Sequence, residues 1–206
     1  SACWLTEHGS DGSCDFTATL PSFTPTKIIY DEQEDIYLLS SENSAIYRWS
    51  AATNHYTNPI NLATLSQDVN AIPLIITYLS AQNRIYIGYN NGHITYVDIS
   101  SPTQEHQFTS LPRQTTYLSS AGNYLLASDS SQSNKYIFDS DGVQTDSFYE
   151  YSNVAMQWND TNNTSYISKS NRVYSYQINQ VTGLMIDENH SEYDSSNRAQ
   201  NPIRLS

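Results

Sequence analysis

Short apolar and aromatic runs alternate with polar turns along this chain, and nowhere do apolar residues recur at the spacing of an amphipathic helix. Ile36-Tyr-Leu-Leu, Ile85-Tyr-Ile-Gly, Tyr124-Leu-Leu-Ala and Tyr166-Ile-Ser-Lys each follow a polar turn. A second aromatic run comes after each: Ile46-Tyr-Arg-Trp, Ile94-Thr-Tyr-Val, Tyr136-Ile-Phe and Val173-Tyr-Ser-Tyr. The four anchors of the first runs lie 49, 39 and 42 residues apart. A repeat near forty residues, made only of short strands, means stacked β-units.

The repeats predict an all-β fold, a β-propeller of about four four-stranded antiparallel blades at 27–65, 70–113, 114–152 and 153–206. In the first, Lys27-Ile-Ile-Tyr is the inner strand, and His55-Tyr-Thr-Asn-Pro-Ile-Asn-Leu, with Pro59 unable to donate to a ladder, is the edge strand. Asn91-Gly92 predicts a type I′ hairpin turn, and Asp139-Ser-Asp-Gly a second hairpin. Asn201-Pro-Ile-Arg-Leu echoes Asn58-Pro-Ile-Asn-Leu, as though the fourth unit ends there. Residues 1–26 form a lead-in, its Leu20-Pro-Ser-Phe-Thr-Pro kept irregular by two prolines.

Charge narrows the partners. With 9 Lys and Arg against 21 Asp and Glu, the net charge of −12 repels phosphate backbones and anionic lipid, so nucleic acid is excluded as a partner. The longest apolar stretch, Ala71-Ile-Pro-Leu-Ile-Ile-Thr-Tyr-Leu, is too short to span a bilayer, so no membrane insertion is expected. Charged residues are only 15% of the chain, and the polar remainder is Ser, Asn, Thr and Gln, a composition that suits an extracellular, cell-surface or periplasmic protein. Cys3 and Cys14 bracket a loop containing Gly9, Asp11 and Gly12, and a disulfide between them fits the same oxidising compartment. The 17 tyrosines suit half-buried strand positions, where the ring packs and the hydroxyl stays wet.

The turn–strand–turn–strand pattern of Asp31–Trp49 and Ser80–Asp98 resembles the blades of the WD40-like/YVTN group of bacterial β-propellers, over about residues 27–200. The Trp-Asp dipeptide of WD40 repeats and the Trp docking motifs of quinoprotein propellers are absent, so the resemblance implies no quinone cofactor. Such propellers have six to eight blades, which implies that four blades belong to a larger ring. An incomplete ring exposes a sheet face at each end, which favours self-association or the remaining blades of a parent protein.

Site chemistry is sparse. Asp139 and Asp141, with Asp146 nearby, are the candidate calcium ligands, although the EF-hand spacing fails and no other cofactor is expected. Asp31, Glu32, Glu34 and Asp35 crowd one turn, where solvation is the expected state, and no residue is assigned a catalytic role. Trp49 and Trp158 can stack on sugars, Trp158 with the better exposure because it adjoins the Asn159–Asn163 turn. Asn91 and His93 stand at a hairpin tip and complete the candidate ligand-binding set. Asn159, Asn162, Asn163 and Asn189 match the glycosylation acceptor pattern, which matters only in a eukaryotic host. The expectation is a non-catalytic secreted or surface module that binds a protein or glycan through its turns. The alternatives are a glycan-active hydrolase or lyase with carboxylates in the channel, and a purely structural domain.

Overall fold

The computed structural model describes residues 23–62, 70–102, 104–131, 134–149, 156–159, 164–169 and 172–192. Cys3, Cys14 and the Asn201-Pro-Ile echo lie outside the described residues, as do Asn162 and Asn163. Four antiparallel sheets follow one another along the chain. The first holds β1 (Lys27–Tyr30), β2 (Ile36–Ser40), β3 (Ala45–Ser50), β4 (His55–Tyr56) and β5 (Ile60–Asn61). The second holds β6 (Pro73–Leu79), β7 (Arg84–Tyr89), β8 (His93–Asp98) and β9 (Glu105–Ser110). The third holds β10 (Thr115–Ala121), β11 (Tyr124–Asp129), β12 (Asn134–Phe138) and β13 (Gln144–Tyr149). The fourth holds β14 (Met156–Asn159), β15 (Thr164–Lys169), β16 (Arg172–Ile178) and β17 (Met185–Glu192).

Each sheet is a meander whose first strand is innermost. The inner strands pack in sequence, β1 against β6, β6 against β10 and β10 against β14, which makes each sheet a propeller blade. In blade 1 the outer strand is broken in two, β4 and β5 both pairing β3. Pro59 sits in the break, where the missing N–H costs no ladder bond.

Three apolar layers fill the gaps between blades. Tyr37, Leu39 and Ile46 of blade 1 meet Ile76, Ile85, Ile87 and Val97 of blade 2. Leu79, Tyr86 and Ile94 meet Leu118, Leu125 and Phe138 of blade 3. Tyr124, Leu126 and Ile137 meet Trp158, Tyr176 and Ile178 of blade 4. Because side chains alternate across a strand, these layers fix which positions are equivalent. Ile85 faces blade 1 and Leu125 faces blade 2, while Tyr124 faces blade 4. The matching positions are therefore Ile36, Ile85, Leu125 and Ser165, so the sequence anchors at Tyr124 and Tyr166 are each one residue out of register.

The turn at Asn91 also differs from expectation. Gly92 has φ +88°, Asn91 has no positive φ, and Gly92 N–H donates to Tyr89 C=O at 3.1 Å. The loop is a three-residue connection ending in a left-handed glycine, rather than type I′. Asp139–Gly142 repeats it, with Gly142 at φ +80° and its N–H on Asp139 C=O at 3.2 Å.

Candidate functional site

Strand direction sorts the candidate residues onto opposite rims. The β2–β3, β7–β8 and β11–β12 turns share one rim with the entries to the inner strands. Ser41 Oγ there donates to Pro73 C=O at 2.5 Å, and Leu111 N–H to Gly92 C=O at 2.8 Å, so each hairpin tip leans on the start of the next blade. The Asp31–Asp35, Gly122–Asn123, Asp139–Val143 and Asn179–Leu184 turns occupy the other rim. Asn123 N–H donates to Gln180 Oε1 at 2.8 Å across blades 3 and 4, and Thr145 Oγ1 to Gly183 C=O at 3.0 Å.

Asn91 and His93 fall on the first rim. Asn91 Oδ1 accepts His93 N–H at 3.2 Å, and the exposed His93 ring lies with Nδ1 3.2 Å from Gln107 Nε2. Asp139, Asp141 and Trp158 belong to the opposite rim, so the structure does not bring the predicted residues into one site.

The acidic turn of blade 1 departs most from its expected solvated state. Asp31 and Asp35 are buried, while Glu32 and Glu34 remain exposed. Asp31 Oδ1 accepts the N–H groups of Gln33 and Asp35 at 2.9 and 3.0 Å, and its Oδ2 accepts Tyr37 O–H at 2.8 Å. Asp35 Oδ2 takes Arg48 Nε at 2.7 Å and Arg48 Nη2, and its Oδ1 takes Ala51 N–H at 2.8 Å. Burial and the bond to Asp31 push the Tyr37 hydroxyl well above its ordinary range, which fixes it as a donor. These carboxylates lock two turns.

Asp139 has a similar duty. Its Oδ1 accepts Asp141 N–H at 3.0 Å and Val143 N–H at 2.9 Å. Asp98 caps the matching turn of blade 2 through Ser100 N–H at 3.0 Å, and neutral Asn179 caps that of blade 4 through Val181 N–H at 2.9 Å. An amide doing the same work shows that the position calls for an Asx cap, which needs no charge. Asp146 is spent on Ser147 N–H at 2.7 Å and on Met185 N–H of blade 4 at 2.9 Å. Among the described residues no three His, Cys, Asp or Glu side chains are grouped to hold a metal, and one oxygen of Asp139 is already engaged by two backbone N–H groups.

Trp158 is only 6% exposed, inside the layer between blades 3 and 4, so the expectation that it stands free beside the turn is overturned. Its side chain alternates inward from β14 with Tyr176 across the sheet, and the apolar layer takes it. Trp49 is half-buried, paired in the sheet with Ile36 and Tyr56.

Two features escaped the sequence reading. Glu105 is buried, with Oε1 accepting Tyr89 O–H and Thr95 Oγ1–H, the latter at 2.5 Å, while its Oε2 has no hydrogen-bond partner among the described residues. Burial raises its pKa above the usual carboxylate range, against the lowering effect of the two hydroxyls. No motif marks Glu105, because its partners come from β7 and β8. The second is a set of exposed aliphatic side chains on two adjoining turns: Val143 of blade 3, with Val181 and Leu184 of blade 4. Val181 is 88% exposed. Apolar residues inside polar turns were hidden by their neighbours Asp141, Gly142, Thr182 and Gly183.

No protein-family model matches the chain, and no curated protein matches it in sequence. Solved structures do resemble it. Virginiamycin B lyase from Staphylococcus aureus aligns over 91% of this chain and 62% of its own, at 13% identity and a TM-score of 0.62. Hydrazine synthase from Kuenenia stuttgartiensis aligns over 86% of this chain and 53% of its own, at 11% identity and 0.60. U3-55K aligns over 81% of this chain and 52% of its own, at 11% identity and 0.61. The chain thus spans little more than half the length of these proteins. At such identities the likeness concerns the fold alone, and the architecture that the blades and these neighbours share is the β-propeller.

Proposed function

We propose that this chain is a non-catalytic β-propeller module, secreted or displayed on a cell surface, that binds a protein partner through the turns of blades 3 and 4. The observation that carries this reading is the exposed Val143, Val181 and Leu184 on two adjoining turns. Exposed aliphatic side chains held on a rigid frame favour a partner able to bury them. The frame is rigid because Asp139 and Asn179 cap the turns and Thr145 ties one to the other. The carboxylates of Asp31, Asp35, Asp139 and Asp146 already accept bonds that hold turns and blades together, which leaves them poorly suited to acid–base work. A glycan is the weaker ligand class, because Trp158 is buried and Trp49 half-buried. A compartment outside the cytoplasm agrees with the Ser, Asn and Thr surface and with a Cys3–Cys14 bridge, which intact-mass measurement before and after alkylation would detect.

The test compares the immobilised chain with a Val143→Asp/Val181→Asp variant in a surface-protein extract of the host. A thermal-shift screen against saccharides and calcium runs beside it. The expected result is a retained protein that the variant fails to hold, with no saccharide shift. Retention of the same protein by both chains, or a reproducible rise in Tm with one saccharide, would overturn the reading.

A further inference from the structure

Charge is divided between the two rims. Across blades 1–3, the rim of the β7–β8 turn carries Lys27, Arg113 and Lys135 against Glu42 and Asp129. The opposite rim carries Glu32, Glu34 and Asp35 of blade 1, Asp98 of blade 2, and Asp139 and Asp141 of blade 3. Among the described residues its only Lys or Arg are Arg48 and Arg84, and each already has an acid beside it. Arg48 Nε donates to Asp35 Oδ2 at 2.7 Å. Arg84 pairs with Asp98 across the sheet, and its guanidinium carbon lies 4.1 Å from the centroid of the Tyr96 ring. Glu32, Glu34 and Asp141 stand exposed.

The exposed aliphatic side chains belong to this acidic rim. Val143, 59% exposed, shares its turn with Asp139 and Asp141. Val181, 88% exposed, and Leu184, 49% exposed, occupy the adjoining turn of blade 4, which Thr145 joins to the first through Gly183 C=O at 3.0 Å. Asp139 Oδ1 holds the N–H groups of both Asp141 and Val143, so an exposed carboxylate and an exposed isopropyl group are carried two residues apart on a fixed loop. Apolar surface and a single sign of charge therefore meet at one place on the molecule.

We infer that the segment these turns receive, on the reading that they dock a protein, is basic: a polypeptide that presents aliphatic side chains flanked by Lys or Arg. Burial of Val143, Val181 and Leu184 supplies the affinity, and the acids choose the sign of the partner. A segment with Asp or Glu beside its aliphatic residues meets like charge at Asp139 and Asp141 and is rejected. Lys and Arg suit the place twice over, because their stems lie along apolar surface while the charged heads reach the carboxylates. The remaining acids of the rim extend the attraction along the blades at low salt and speed encounter with a basic partner.

The test is fluorescence anisotropy of three labelled peptides of equal length titrated with the full chain: leucine alternating with lysine, leucine with glutamate, and serine with lysine. The leucine–lysine peptide binds, and the other two bind far more weakly. Val181→Ser/Leu184→Ser raises its Kd at least about tenfold by removing apolar contact. Asp139→Asn/Asp141→Asn keeps the turn's acceptor oxygen, leaves circular dichroism unchanged and raises the Kd about fivefold. The charge effect shrinks as salt rises from about 0.01 to about 0.1 M and the screening length falls from about 30 to about 10 Å. Equal binding of the leucine–glutamate peptide, or indifference to Asp139→Asn/Asp141→Asn, overturns the basic partner while docking at these turns stands. Binding of the leucine–lysine peptide that survives Val181→Ser/Leu184→Ser, or no binding of any peptide, overturns the inference as well. Docking itself is decided separately, by the retention experiment with Val143→Asp/Val181→Asp.

Discussion

At the scale of single residues, the unpaired Oε2 of Glu105 matters most, since a desolvated carboxylate satisfied on one oxygen only, and facing no cation there, works against the fold. A carboxyl whose pKa is raised by folding contributes stability at pH below its unfolded value, and that contribution is lost as pH rises through the folded value. Stability should therefore decline from about pH 4.3 upward on account of this group. Glu105→Gln removes the decline: the variant should match the wild type in Tm at pH 4 and exceed it at pH 8. A Tm difference that does not change with pH would refute this account. Gly92 makes the opposite demand on its position. A Cβ there would lie 2.5 Å from Leu111 C=O and 2.6 Å from Arg113 C=O, at a φ of +88°. Gly92→Ala should cost at least about 1–3 kcal/mol in urea unfolding, since neither backbone segment can yield cheaply.

At the scale of elements, the hairpins separate a structural aspartate from a calcium ligand. Asp139→Asn keeps the acceptor oxygen, as Asn179 does naturally in blade 4, and should leave stability unchanged with or without calcium. Asp139→Ala frees two backbone N–H groups and should cost about 1 kcal/mol. If Asp139→Asn abolished a calcium-induced rise in Tm, the turn would be a metal site after all. Trp158→Ala should cost about 3–5 kcal/mol, because the ring fills the layer between two blades. These elements also show what the sequence made legible. Strands and turns were readable, because aromatic pairs and Gly or Asn punctuation report local backbone, and Lys27–Tyr30 and the Pro59 edge fell where patterning placed them. Facing was not. Tyr124 and Leu125 are both apolar, so only the neighbouring blade reveals which points where. Trp158 beside an Asn-rich turn reads as exposed until the alternation of β14 is known. Asp31 and Asp35 read as solvated because their partners Tyr37, Arg48 and Ala51 lie across a strand and a further turn.

At the scale of the whole molecule, each blade is stabilised chiefly by its two neighbours, as in other repeat architectures. Equivalent residues in a central and an end blade should then respond differently to the same substitution. Ile76→Ala opens a cavity between blades 1 and 2 and should cost about 2–5 kcal/mol. Ile28→Ala changes a side chain that is 59% exposed and should cost no more than about 0.5 kcal/mol. Urea unfolding of both variants beside the wild type reads the two effects together. A loss at Ile28 equal to that at Ile76 would mean that the end blade is covered as fully as a central one, against the difference in exposure.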